Sequence, residues 1–88
     1  DREVMGGYAG DLLSWVMGRA EAGDAWITIM SNINIVAVAS LADVACIILA
    51  EGVTLEQEVI DTALDKEINI LTTKMDIYSI AVYLNGIL

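Results

Sequence analysis

The stretch from Ser31 to Ala50, SNINIVAVASLADVACIILA, constrains this chain more than any other. It is almost long enough and apolar enough to cross a bilayer. A spanning helix would carry Asp43 near its middle, together with Asn34 and Ser40, and each polar group is costly in hydrocarbon, the carboxylate most of all. The far end lacks an interfacial Trp or Tyr, and the flanks show no excess of Lys or Arg. The run therefore divides at Ala42-Asp43. VACIILA, 44–50, is a short β-branched run bounded by Asp43 and Glu51-Gly52, as expected of a strand covered on both faces in a parallel sheet. AWITIM, 25–30, has the same character. Residues 31–43 are about the length of a helical crossover joining parallel strands, and Ser31 or Asn32 can cap that helix. The Ile and Val of 33–39 also fit a strand paired back on 44–49, since β-branched residues disfavour helix. The helix is the expectation adopted, because the remaining chain has a βα rhythm, and the strand is its alternative.

DLLSWVMGRA, 11–20, places Leu12, Leu13, Val16, Met17 and Ala20 on one helical face, with Gly23-Asp24 as the turn that follows. TLEQEVIDTALDKE, 54–67, opens with Thr54 and Gln57 in capping-box spacing, has Glu56 and Glu58 at its positive end, and ends with Lys66. Its core stripe is Leu55, Val59, Ala63 and Leu64, with Ile60 beside it. INIL, 68–71, reads as a short strand. A last helix begins with Thr73 and Asp76 and turns Ile77, Ile80, Ala81, Leu84 and Leu88 inward. Residues 2–5 are expected as an edge strand. The order β-α-β-α-β-α predicts an α/β domain with a mainly parallel sheet flanked by helices, a single small domain over 1–88. No Pro, linker or internal repeat marks a second one.

Composition narrows the function. An apolar fraction of 57% exceeds what a lone 88-residue domain can hide, which predicts a homodimer. Thirteen acidic residues against four basic give a net charge of −9, and Arg2, Arg19, Lys66 and Lys74 are scattered. Neither nucleic acid nor an anionic membrane surface is therefore an expected partner. There is no His, so zinc sites, Ser-His triads and imidazole acid–base chemistry lose their commonest participant. The single Cys46 excludes an internal disulfide and reads as a buried core thiol, as in a reducing, cytoplasmic setting. The chain begins at Asp1 without Met, and no secretory signal is visible.

Candidate binding residues follow from the architecture. In open parallel sheets, ligands sit beyond the carboxyl ends of the strands, beside helix N-termini. Here those positions hold Ser31, Asn32, Glu51, Gly52, Thr72, Thr73 and Asp76, with Lys74 able to meet an anion. As structural residues the same groups serve as caps and turns, Asp76 as an N-terminal helix carboxylate. Gly6-Gly7-Tyr8-Ala9-Gly10 lacks the G-x-G-x-x-G spacing and the P-loop Lys and Ser or Thr, and reads as a flexible turn into the first helix. Glu56, Glu58, Asp61, Asp65 and Glu67 share one helix and read as a solvated face. Trp15, Trp26, Tyr8 and Met17 read as core, and Tyr78 and Tyr83 fall off the apolar stripe of the last helix, where some aromatics should line a dimer contact. No catalytic, metal or cofactor constellation stands out.

The segments GGYAGDLLSWVM, AGDAWITIMSNINIVAVA and ACIILAEGVTLEQEVIDTALDKEINILTTKMDIYSIA resemble the DRTGG domain over nearly the whole chain. That family occurs beside CBS domains in regulatory proteins and inorganic pyrophosphatases and in bacterial phosphotransacetylase, and is related to the N-terminal domain of HPr kinase. Its members read strand-Gly-Asp-Arg-helix, then strand-Thr-Gly-Gly, then a strand leading into Thr and an Asp-Thr-Phe-like helix start. Met30-Ser31-Asn32 stands where Gly-Asp-Arg is usual and Ala50-Glu51-Gly52 where Thr-Gly-Gly is usual, while Gly52, Thr73, Asp76 and the aromatic Tyr78 remain. The Asp-Arg pair is lost, and a ligand role for it does not carry over; Asp1-Arg2 is a coincidence of letters. The chain is most similar to short, free-standing members labelled HPr serine kinase-related, which begin with an additional strand, and the resemblance implies an upstream one here. These 88 residues contain no ATP-binding loop, so the resemblance implies no kinase activity. The expected function is a non-catalytic regulatory or ligand-sensing module, binding a small metabolite or nucleotide at the strand ends. The alternative is a protein-interaction subunit of a metabolic or redox complex with no small-molecule ligand; an enzyme ranks third.

Overall fold

The computed structural model describes residues 2–88; Asp1, the first letter of the Asp1-Arg2 pair and of the 1–88 span, lies outside them. Strand β1 (Gly6–Ala9) leads through helix α1 (Leu13–Arg19) to β2 (Asp24–Thr28), then through α2 (Asn34–Ala42) to β3 (Cys46–Leu49), through α3 (Gln57–Asp65) to β4 (Ile70–Thr72), and ends in α4 (Ile77–Ile87). The strands pair in parallel in their sequence order, with Ala25 opposite Cys46 and Ile47 opposite Ile70 in the central ladders.

The long apolar run is thus a helix and a strand. Ile35, Val36, Val38 and Ala39 are buried, a helical spacing that an alternating strand does not give. Among the described residues no helix is long and apolar enough to cross a membrane. The chain reverses at Asp43, whose left-handed backbone (φ 58°) lets its N–H meet the carbonyls of Ala39 and Ser40 and close the last turn. Arg2 braces that joint, donating to the Asp43 carboxylate at 2.8 Å and to the carbonyls of Asp43 at 3.1 Å and Val44 at 3.0 Å.

Both faces of the sheet are covered, which is why its central strands need apolar residues at successive positions. Trp26, Ile47 and Leu49 pack with Val16, Ile35, Val36, Val59 and Ala63 beneath α1, α2 and α3. Ile27 and Ala50 pack with Ile80 of α4, joined by Ile48, Ile77, Ala81 and Leu84. Three helices therefore lie on one face and α4 on the other. Thr28, fully buried, donates to Asp11 Oδ1 at 2.6 Å, so its hydroxyl is satisfied inside.

The first strand departs from the expectation. Residues 2–5 are not a strand, and Gly6–Ala9 is the edge strand rather than a flexible turn. Its glycines admit close neighbours: a Cβ on Gly6 would stand 2.9 Å from Asp24 Oδ1, and one on Gly7 3.1 Å from Leu84 Cδ2. Glycine in a strand here marks the approach of another element to the backbone. Trp26 then donates its indole N–H to the Gly10 carbonyl at 2.9 Å, fixing the strand's exit.

Helix starts also shift. Helix α3 begins at Gln57 with no side-chain cap, so Thr54 does not close a capping box; Gln57 Nε2 instead donates to Asp61 Oδ1 at 2.9 Å. Helix α1 is too short to bury its whole expected face. Val16 is enclosed and Leu13 and Ala20 partly so, while Leu12, Trp15 and Met17 stay exposed. The Trp15 ring carries the Arg19 guanidinium 3.7 Å above its centre, a contact available only at the surface. Leu64 and Leu88, expected inward, are likewise exposed, as is Ile60 beside the stripe.

The β1–α4 approach makes a direct prediction. Gly7→Val should lower the unfolding free energy by about 1–3 kcal/mol through overpacking against Leu84. Gly18→Ala, at a helical site with nothing within 4 Å of the added carbon, should raise it by about 0.5–1 kcal/mol. Urea denaturation of the two variants measures both; an innocuous Gly7→Val would mean that α4 does not seat on this strand.

Candidate functional site

Helix α3 leaves the end of β3 toward one face of the sheet, and α4 leaves the end of β4 toward the other. Such a divergence of neighbouring connections opens a crevice at the carboxyl edge, the usual ligand position of parallel α/β sheets. Its floor is backbone: Thr73 N–H donates to the Leu49 carbonyl at 3.0 Å, Gly52 N–H to Thr73 at 2.9 Å, and Glu51 N–H to Met75 at 2.8 Å. Above it lies a cavity of about 500 Å³. Val53, Thr54, Leu55 and Ile60 form one wall with Gly52, and Thr72, Thr73 and Lys74 form the other. The volume falls within the range of small-molecule sites.

The two walls divide the chemistry. Val53, Leu55 and Ile60 offer apolar surface. Opposite them, Thr73 Oγ1 accepts from the Met75 N–H at 3.2 Å, which leaves its hydroxyl proton to donate. Lys74 brings an ammonium to the same wall, its stem near Gly52, where an added Cβ would stand 3.9 Å from Lys74 Cγ.

A second depression of about 430 Å³ lies beside the first, between the start of α2 and α3. Ser31 and Asn32 line it, Glu56 and Glu58 stand across from them, and Thr54 and Leu55 are shared with the crevice. Asn32 Oδ1 accepts from the Asn34 N–H at 2.9 Å and so closes the turn that starts α2, although the cap position itself is Ile33. Two carboxylates against no lining Lys or Arg make this depression hostile to anions, so charge alone separates it from the crevice at Lys74.

The seven residues expected at the strand ends therefore fall into three groups. Gly52, Thr72 and Thr73 meet in the crevice; Ser31 and Asn32 line the acidic depression; Glu51 and Asp76 line neither. The Asp76 carboxylate caps α4, accepting the Ser79 N–H at 2.6 Å, and that bond holds its pKa below the ordinary value. The apolar wall was hidden in the sequence because Thr54 has cap-like spacing and Leu55 and Ile60 lie on a helical stripe. Cys46 is buried, and desolvation raises its thiol pKa, away from reactive thiolate. Among the described residues no three His, Cys, Asp or Glu side chains converge as metal ligands.

The turn at Glu51-Gly52 explains a motif. Both residues have positive φ, 62° and 71°, the backbone that a Gly-Gly pair adopts most easily. Here glycine supplies the second of these positions only, and Glu51 holds a side chain in left-handed backbone.

These features define a parallel α/β module with a crevice at a switch point of the sheet. The DRTGG domain pattern matches residues 9–87, and the chain belongs to the DRTGG domain family. Among solved structures, it is similar to the CBS and DRTGG domains of the regulatory region of Clostridium perfringens pyrophosphatase, complexed with the activator diadenosine tetraphosphate. The TM-score is 0.71 at 23% identity, over 89% of this chain and 34% of that one, so the chain spans about a third of that structure's length. No curated protein matches it.

Two outcomes test this geometry. Glu51→Gly should raise stability by about 0.5–1 kcal/mol in urea melts, by removing the left-handed strain of a side-chain-bearing residue; a loss would contradict the turn. The Asp76 cap contributes stability that is complete above the ordinary carboxylate pKa and is lost as pH falls through the lower folded value. Wild type should therefore exceed Asp76→Ala in urea midpoint at pH 7, with the difference gone near pH 2; a difference that grows on acidification would reverse the assignment.

Proposed function

We propose that this chain is a non-catalytic regulatory module that binds a small phosphorylated metabolite or nucleotide in the crevice between the β3–α3 and β4–α4 loops. One observation carries the reading: the carboxyl-edge cavity at the switch point is lined by Val53, Leu55 and Ile60 together with Thr54, Thr72, Thr73 and Lys74. An aromatic base or carbon skeleton suits Val53, Leu55 and Ile60, and a phosphate suits Lys74 with Thr72 and Thr73. The activator in the C. perfringens regulatory region is a nucleotide, which supports the ligand class. Occupancy bridges the loops that follow β3 and β4 and so biases whatever partner reads that edge. In this reading the module acts as a cytoplasmic homodimer, a regulatory domain of the kind the resemblance to the N-terminal domain of HPr kinase implies.

A second reading is a protein-interaction subunit without a small-molecule ligand. It is favoured by the exposed apolar side chains of α4, which the crevice does not use.

Thermal shift with AMP, ATP, diadenosine tetraphosphate and a panel of sugar phosphates separates the two. A ligand at one hundred times its Kd stabilises the fold by about 2.7 kcal/mol, a shift of several degrees for a domain this small. Lys74→Ala should abolish the shift while leaving the ligand-free Tm unchanged. Silence from every compound at millimolar concentration, with one stoichiometric protein recovered on pull-down, would establish the interaction subunit instead.

A further inference from the structure

The outer face of α4 has no role in the crevice, and its chemistry sets it apart. From Ile77 to Leu88 the chain carries no charged side chain, although the whole molecule has a net charge of −9. Helical periodicity turns Ile77, Ile80, Ala81 and Leu84 onto the sheet, where they pack with Ile27 and Ala50. The opposite side presents Tyr78 at 79% exposure, Val82 at 54% and Tyr83 at 64%. Ser79 and Gly86 lie between the two tyrosines on the helical wheel, and a Cβ at Gly86 would meet nothing within 4 Å, so no neighbour in the monomer occupies that ground. Leu71, exposed on β4, stands opposite Ile48 in the parallel register and shares the sheet face that α4 covers.

We infer that this face receives a second copy of the chain, α4 against α4 about a two-fold axis, and so assign a surface to the homodimer proposed above. Charge selects both the occupant and the place. A two-fold contact sets each group near its own counterpart, so a strongly acidic chain meets itself at least cost where it carries no charge. Among the other helices, α3 displays Glu58, Asp61 and Asp65 and α1 displays Arg19, while α2, itself uncharged, exposes Leu41 beside a groove that Lys66 lines and has no exposed aromatic side chain. An uncharged face gives a charged partner nothing to recognise, whereas two tyrosines flanking a low ridge of Ser79, Val82 and Gly86 offer a self-complementary surface. Tyrosine supplies large contact area with few rotatable bonds, as interface cores require. The exposed parts of Leu71, Met75, Tyr78, Val82, Tyr83 and Ile87 amount to an area on the order of 600 Å², near the roughly 800 Å² that each partner of a stable complex covers.

Sedimentation equilibrium from 1 to 300 µM tests the assignment on the ligand-free chain. Wild type should dimerise, and Val82→Glu should weaken the dimer at least about 100-fold, because the two-fold axis places two new carboxylates in the contact. Circular dichroism should find the variant's fold intact, since Val82 is half exposed. Leu41→Glu, on α2 at a separate apolar position that is 72% exposed, tests the one other helix without charge and should leave the dimer unchanged. A dimer indifferent to Val82→Glu, or broken by Leu41→Glu instead, would refute this face while preserving the dimer. A wild-type chain that stays monomeric at 300 µM would overturn both.

Discussion

The structure depends on the reversal at Asp43. One left-handed residue ends α2, returns the chain into β3, and converts a run long enough to suggest a membrane span into two layers of one core. The joint is held from three sides. Gly23 N–H donates to the Asp43 carbonyl at 2.9 Å, Ala45 N–H donates to Asp24 at 2.8 Å, and Arg2 grips the turn from the N-terminal segment. The exposed Arg2–Asp43 ion pair by itself contributes at most about 1 kcal/mol. The stronger constraint is hydrophobic: Ile35, Val36, Ala39, Ile47 and Leu49 are buried together only if the helix and the strand after it lie on each other.

The candidate site follows from how the last connection differs from the others. Helices α1 to α3 stack on one face, and had α4 joined them the loops after β3 and β4 would run side by side. Its passage to the opposite face separates those loops above a floor of backbone hydrogen bonds. Two of the floor bonds come from Glu51 and Gly52, whose left-handed conformations turn both N–H groups toward the β4–α4 loop. Glu51-Gly52 thus makes a turn that ties two loops together.

Much of this was legible in the sequence, for identifiable reasons. Helix α4 and the buried positions of α3 were readable because apolar residues recur at helical spacing, and β3 because a short β-branched run sits between Asp43 and Glu51-Gly52. Strand β1 was not, since glycine weakens every local strand signal and the reason for Gly6 and Gly7 lies in Asp24 and Leu84, far along the chain. The site was half legible. Topology pointed to Gly52, Thr72 and Thr73, and it pointed equally to Glu51 and Asp76, which the fold commits to a turn and a cap. Thr54 and Leu55 escaped because their spacing imitates a helix start that the chain delays until Gln57. The charge difference between the two depressions emerges only when α3 is placed, since it sets Glu56 and Glu58 beside Ser31 and Asn32.

The central claim is that the edge between β3 and β4, with its lysine, is where this fold meets a ligand. Backbone amide shifts recorded by NMR during titration with AMP test it residue by residue. The largest changes should group at Gly52, Thr54, Leu55, Thr72, Thr73 and Lys74, with Ser31, Asn32 and the α4 surface nearly still. Changes concentrated at Ser31 and Asn32 beside Glu56, or none at saturating nucleotide, would contradict it.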